Sequence, residues 1–118
     1  MDPKELDVFK LSHQLTLRIY EITKSYPQDE KYGLVPQMRR SSSSIPMNLM
    51  EGTGRRTSKE YIHFLSICSG SCEEIKYQIL LSKDLDYIET TIYDELTEQY
   101  SRVSKMLYRL IQSLNKKV

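Results

Sequence analysis

The chain has 118 residues and a mass of 13.9 kDa, which is one domain's worth of protein and too little for two ordinary cores. Hydrophobic residues make up 39% and charged residues 28%, with glycine and proline at four positions each, which excludes a collagen-like or linker-like chain and is too apolar for obligate disorder. A formal charge of +1 excludes a uniformly basic molecule, and a mean hydropathy of -0.52 without an apolar run near ~20 residues excludes a transmembrane helix.

The opening MDPKELDVFK has no basic stretch followed by an apolar one, so no secretory signal is read there. The two cysteines fall inside one helical pattern and form no disulfide framework, and a cytoplasmic location is expected. Four helices are predicted, over about 3–25, 34–52, 58–83 and 90–115, in a single domain spanning 1–118. The first stops at Tyr26-Pro27, because a residue before proline is pushed out of the helical region. Pro36 is tolerated in the first turn of the second, which ends at Gly52-Thr53-Gly54. Thr57 or Ser58 caps the third, with Glu60 in its first turn. Strand signals are nearly absent, and short connections make successive helices antiparallel neighbours. The fold class is therefore all-α, an up-down-up-down four-helix bundle.

At about 100° per residue, helices three and four each present one apolar face. Tyr61, Phe64, Leu65, Cys68, Cys72, Ile75 and Ile79 form the third helix's face, and Ile88, Ile92, Leu96, Tyr100, Val103, Leu107, Leu110 and Leu114 form the fourth's. The first helix has two stripes. Val8, Leu11, Leu15, Ile19 and Ile22 form one, and Leu6, Phe9, Leu17 and Tyr20 form a second, nearly opposite, with Ser12, Thr16 and Thr23 filling a gap between them. A bundle helix needs to bury only one stripe, so Leu6, Phe9, Leu17 and Tyr20 are expected to face another copy of the chain.

On the second helix Leu34, Met38, Ser42, Ile45 and Leu49 share a face, so the serine run is a helix segment that lets a neighbour approach closely. Pro46 removes the N–H owed to the Ser42 carbonyl; a bend is expected there, with nearby hydroxyls available to the freed oxygen. Folding helices two and three about Arg55 brings Arg40 opposite Gly70 to Glu74, predicting an Arg40–Glu74 ion pair in preference to a phosphate-binding role for Arg40. Asn48, Glu51 and Ser71 would extend it into an interhelical polar network that fixes register.

Charge is unevenly placed. Residues 73–98 carry eight acidic and two basic side chains, whereas residues 99–118 carry Arg102, Lys105, Arg109, Lys116 and Lys117 with no acid. The turn between helices two and three adds Arg55, Arg56 and Lys59. Arg39, Arg55, Arg56, Lys59, Lys105 and Arg109 are the candidate phosphate contacts. The competing reading is an ordinary solvated face, with cations favoured near a helix C-terminus.

Catalytic constellations are poor. Cys68 and Cys72 lie in the apolar stripe with no further ligand to complete a metal set, and neither His13 nor His63 has an evident catalytic partner. The Arg-x4-His spacing of some helical-bundle ribonucleases is absent, since Val8 and Ser58 stand five residues before the histidines. No catalytic residue, metal or cofactor is expected, and the chain is read as a non-enzyme.

The segment Tyr32 to Glu74 resembles the hallmark of a bacterial helical-bundle family, the 23S ribosomal RNA intervening-sequence proteins. The matching residues are Tyr32-Gly33-Leu34, Gln37, Arg39-Arg40, Ser44-Ile45-Pro46, Asn48, Glu51-Gly52, Arg55 or Arg56, Phe64-Leu65, Gly70-Ser71 and Glu74. Leu6, Val8-Phe9 and Ile19-Tyr20 extend the resemblance over nearly the whole chain. Ser41 to Ser43 and Met50 stand where alanine is usual, and Pro36 is atypical. The resemblance implies a bundle assembled as a homopentamer, in a family whose members are often encoded inside insertions in large-subunit ribosomal RNA genes. A family related to the one it resembles, the accessory subunit of diversity-generating retroelements, forms a basic pentameric barrel that binds nucleic acid and a reverse transcriptase. The expectation is a pentameric, non-membrane protein binding ribosomal or other structured RNA. The alternative is an adaptor that docks a protein such as a reverse transcriptase or ribosome-associated factor.

Overall fold

A computed structural model describes residues 2–117; Met1 and Val118, which the expected domain includes, lie outside the described residues. Leu6 is extended (φ -68°, ψ 133°) and splits the first predicted helix. Before it, Pro3–Glu5 forms a 3-10 turn, with Asp2 Oδ1 accepting from the Lys4 N–H at 3.0 Å. After it come α1 (Asp7–Thr23), α2 (Leu34–Thr53), α3 (Ser58–Asp84) and α4 (Thr90–Asn115). No strand occurs among the described residues.

Contacts run α1 to α2, α2 to α3, α3 to α4 and α4 back to α1, so the helices occupy the corners of a four-cornered bundle in chain order. The molecule measures 46 × 24 × 20 Å, with its long axis set by helix length. Ile19, Met38, Ile45, Leu49, Leu65, Ile75, Ile79, Leu96, Val103 and Leu107 are fully buried between them.

The seam between α1 and α2 is built around Pro46. Proline cannot donate to the carbonyl four residues earlier, which strands the buried Ser42 oxygen. Thr16 of α1 supplies the missing donor: its hydroxyl lies 3.1 Å from the Ser42 carbonyl and 2.9 Å from that of Ser12 on its own helix. The Ser12 carbonyl also has a helical N–H, so the Ser42 oxygen is the one that depends on the hydroxyl. Served from outside, α2 continues through Pro46 as one helix. Ser12, Thr16 and Ser42 are all buried at this seam, and their small side chains let the two helices close on each other.

This seam alters the reading of α1. Ser12 and Thr23 return their hydroxyl protons to the carbonyls of Phe9 and Ile19 on their own helix, and Thr16 shares its proton between the carbonyls of Ser12 and Ser42, so burying them leaves no hydroxyl unsatisfied. The supposed polar gap is therefore part of the core face. Phe9, expected at an oligomer interface, is only 9% exposed and packs in the core, and Leu6 packs against its edge. Leu17 and Tyr20 remain outward, at 58% and 42% exposure.

At the far end, Glu30 joins two connections. Its Oε1 accepts from the Leu34 N–H at 3.1 Å, capping α2, and its Oε2 accepts from the Tyr87 hydroxyl at 2.8 Å. Asp86 (φ 62°) takes the left-handed position that ends α3, and the Tyr87 N–H reaches back to the Ser82 carbonyl at 2.8 Å.

Two stability predictions follow from this packing. Thr16→Val should cost about 1–3 kcal/mol in denaturant unfolding by orphaning the Ser42 carbonyl. The cost should shrink in a Pro46→Ala background, where the helix N–H returns. At Gly52, an added Cβ would lie 2.8 Å from Tyr61 Cδ1 and 3.1 Å from Phe64 Cβ. Gly52→Ala should therefore destabilise by about 1–2 kcal/mol despite its better helix propensity.

Candidate nucleic-acid interface

Antiparallel topology gathers three separate chain segments at one end of the rod. The N-terminal turn and start of α1, the α2–α3 connection and the last turns of α4 all lie there. That end carries Lys4, Lys10, Arg55, Arg56, Lys59, Arg102, Lys105, Arg109, Lys116 and Lys117, against Asp2, Glu5, Asp7, Glu51 and Glu60. The remainder of the bundle holds Glu21, Asp29, Glu30, Glu73, Glu74, Asp84, Asp86, Glu89, Asp94, Glu95 and Glu98 against Arg18, Lys24, Lys31, Arg39, Arg40, Lys76 and Lys83, so acids outnumber cations there. The bundle is polarised along its length.

Local chemistry fixes the turn that presents Arg55, Arg56 and Lys59. Thr57 Oγ1 accepts from the Glu60 N–H at 3.1 Å, and the Glu60 carboxylate lies 3.2 Å from the same hydroxyl. This cap starts α3 and satisfies a donor at its N-terminus. Arg55 is held in place: it lies 3.3 Å from Glu51 Oε2 and its guanidinium stacks 4.6 Å from the Phe64 ring. Arg56 and Lys59 are exposed and form no ion pair among the described residues. Lys105 and Arg109 are likewise exposed and unpaired on α4, while neighbouring Arg102 donates to Gln99 Oε1 at 3.1 Å.

Five of the six candidate phosphate contacts thus share the basic end. Arg39 does not. Its Nε donates to Thr23 Oγ1 at 3.0 Å, its Nη2 to the Tyr20 carbonyl at 3.3 Å, and its guanidinium stacks 4.7 Å from the Tyr20 ring. Those contacts make it a clamp between α1 and α2. Lys4 and Lys10, absent from the sequence-based set, join the basic end through topology. Lys10 and Arg102 both line a groove of about 340 Å³, together with Asp7, Leu11, Gln14 and Met106.

The interhelical polar network forms in part. Ser44 and Ser71 hydroxyls meet at 2.8 Å, and Asn48 Nδ2 donates to the Ser44 carbonyl at 2.8 Å. Glu51 turns instead toward Arg55. Arg40 and Glu74 are both exposed, and the ion pair expected between them is not made. Arg40 lies about 40° beyond Ser44 around α2, away from Ile45, so its side chain stands off the seam in water. An exposed pair there would add little to hold it back.

Cys68 and Cys72 are fully buried free thiols, each 3.4 Å from a carbonyl, Ile45 for the first and Tyr100 for the second. Burial pushes the Cys68 thiol up to about 12 and raises Cys72 and Tyr100 as well. Such thiols are poor nucleophiles at neutral pH. Among the described residues no group of three or more His, Cys, Asp and Glu is placed to hold a metal. No helix of the described residues is long and apolar enough to cross a membrane.

The family of 23S rRNA-intervening sequence proteins matches residues 4–109. The chain belongs to that family. No curated protein matches it. Among solved structures it is similar to a protein of unknown function from the S23 ribosomal protein family of Bacteroides thetaiotaomicron VPI-5482. The two share 22% identity over 88% of this chain and 97% of that one, with a TM-score of 0.79. That likeness establishes the shared helical fold.

The buried thiols give a pH prediction. Unfolded cysteine ionises near 9.0, whereas folded Cys68 holds its proton to about 12. The folded state then binds more protons between those values, so stability is full below pH 9 and falls as pH rises toward 12. Urea midpoints should be flat from pH 7 to about 8.5 and decline above about 9, with a shallower decline in Cys68→Ala.

Proposed function

We propose that this member of the 23S rRNA-intervening sequence protein family is a non-enzymatic homo-oligomer, pentameric by the family resemblance, that binds structured RNA or another nucleic acid through its basic end. The observation carrying this reading is the segregation of charge along the bundle axis. If copies are arranged around an axis parallel to the helices, every basic end falls on the same side. Repeated weak phosphate contacts then add through avidity, without base-specific readout. Arg56, Lys59, Lys105 and Arg109 are the exposed, unpaired cations assigned to phosphates. Arg55 contributes charge while anchored by Glu51 and Phe64.

Binding carried by about six phosphate contacts would weaken on the order of 10³-fold between 50 and 200 mM salt. Filter binding or fluorescence anisotropy with a structured ribosomal RNA fragment measures this directly. Arg56→Glu combined with Lys59→Glu should reduce affinity about tenfold or more and flatten the salt slope, with sedimentation unchanged. RNA affinity indifferent to these changes would overturn the assignment. Association with a protein partner that persists at high salt, with no RNA retained, would favour the adaptor reading.

A further inference from the structure

The outer face between α2 and α3 has features that one subunit does not account for. Gly70 lies at its crest in mid-helix, where glycine costs about 1 kcal/mol relative to alanine. A Cβ built there meets nothing within 4 Å, so no contact within the subunit requires the glycine. Beside it runs a groove of about 470 Å³, walled by Leu34, Leu81 and Tyr77 and edged by Glu74. Gln78 lines the same groove; it is only 8% exposed, yet its Oε1 is buried without a hydrogen-bond partner. A buried amide oxygen left unpaired carries a cost that the subunit alone does not offset.

The adjacent face, between α1 and α2, has the complementary character. Leu17, Tyr20, Met47 and Met50 stand out from it at 58%, 42%, 60% and 47% exposure. Arg40 stands at its edge, exposed and unpaired. The height of Arg40 along the bundle is the important detail. Ser44 meets Ser71 across the α2–α3 seam, so Arg40, one turn away on antiparallel α2, lies level with Glu74 on α3. Rotation about an axis parallel to the helices preserves that height.

We propose that the α2–α3 groove of one copy receives the α1–α2 face of the next, with Arg40 of one copy paired to Glu74 of its neighbour. This rests on the self-association in the functional proposal and names the surface that makes it. The pair not made within one subunit is made between subunits. Both halves of the contact, apolar knobs with a free cation and a groove with a free carboxylate and an unpaired carbonyl, belong to the same chain, which identifies the occupant as a second copy. The contact is heterologous. Because the two faces are adjacent sides of a four-cornered bundle, successive copies turn by a similar angle each time and close into a small ring instead of a filament. Gly70 gives the neighbour's backbone and methionines room to approach.

The test is sedimentation velocity and native mass spectrometry of the full chain, with circular dichroism as the folding control. Arg40→Glu and Glu74→Arg should each weaken association at least tenfold, and the double swap should restore it. Gly70→Leu, whose Cβ has no neighbour within 4 Å and which replaces glycine by a better helix former, should leave the helical spectrum intact while shifting the protein to monomer. Assembled protein indifferent to folded Gly70→Leu, or single charge variants that dissociate without rescue by the swap, would overturn this interface while leaving self-association standing. Wild-type protein that sediments as a monomer at micromolar concentration would overturn both.

Discussion

One carbonyl, that of Ser42, organises the packing of half the bundle. Proline at position 46 removes its helical donor, and the oxygen lies too deep for water to serve it. The Thr16 hydroxyl reaches it only if α1 and α2 are close and in register, so a local deficit in one helix becomes a specification of how another must sit. The small side chains of Ser42 and Ser12 make that approach sterically possible. Arg39, bonded to Thr23 and stacked on Tyr20, closes the same seam two turns further along. The position of α1 follows from these contacts, and with it the side on which Leu17 and Tyr20 are left facing solvent.

Much of this architecture was legible in the sequence, because apolar periodicity and helix stop signals act locally. The single faces of α3 and α4, the proline-terminated first helix and the Thr57 cap all depend on neighbours a few residues away. The donor for the freed carbonyl was foreseeable as a nearby hydroxyl, while its source on another helix was not. The outward placement expected for Leu6 and Phe9 proved wrong for a related reason. Treating serine and threonine as polar placed a boundary between two stripes, but their hydroxyls find buried carbonyls, on α1 itself or, for Thr16, also on α2, so the apolar face widens to take in Phe9.

The candidate site shows the limit of reading along one strand. Arg55, Arg56, Lys59, Lys105 and Arg109 were identified as charged runs on separate elements, yet what unites them is that helices of opposite direction end in the same place. Lys4 and Lys10 joined them only when that topology was drawn. Arg39 and Arg40 were indistinguishable as a pair in sequence; one residue of rotation puts the first under a tyrosine ring and the second in water. Such distinctions arise from helical phase, and composition is blind to them.

The two cysteines have a use unrelated to any chemistry they perform. Cys68 leans on a carbonyl of α2 and Cys72 on one of α4, so each sulfur guards a different side of the same helix. An alkylating reagent can reach either only when that side parts. Modification kinetics, resolved by site, would therefore time the breathing of two joints separately, making the native side chains a pair of internal clocks for the motions of α3.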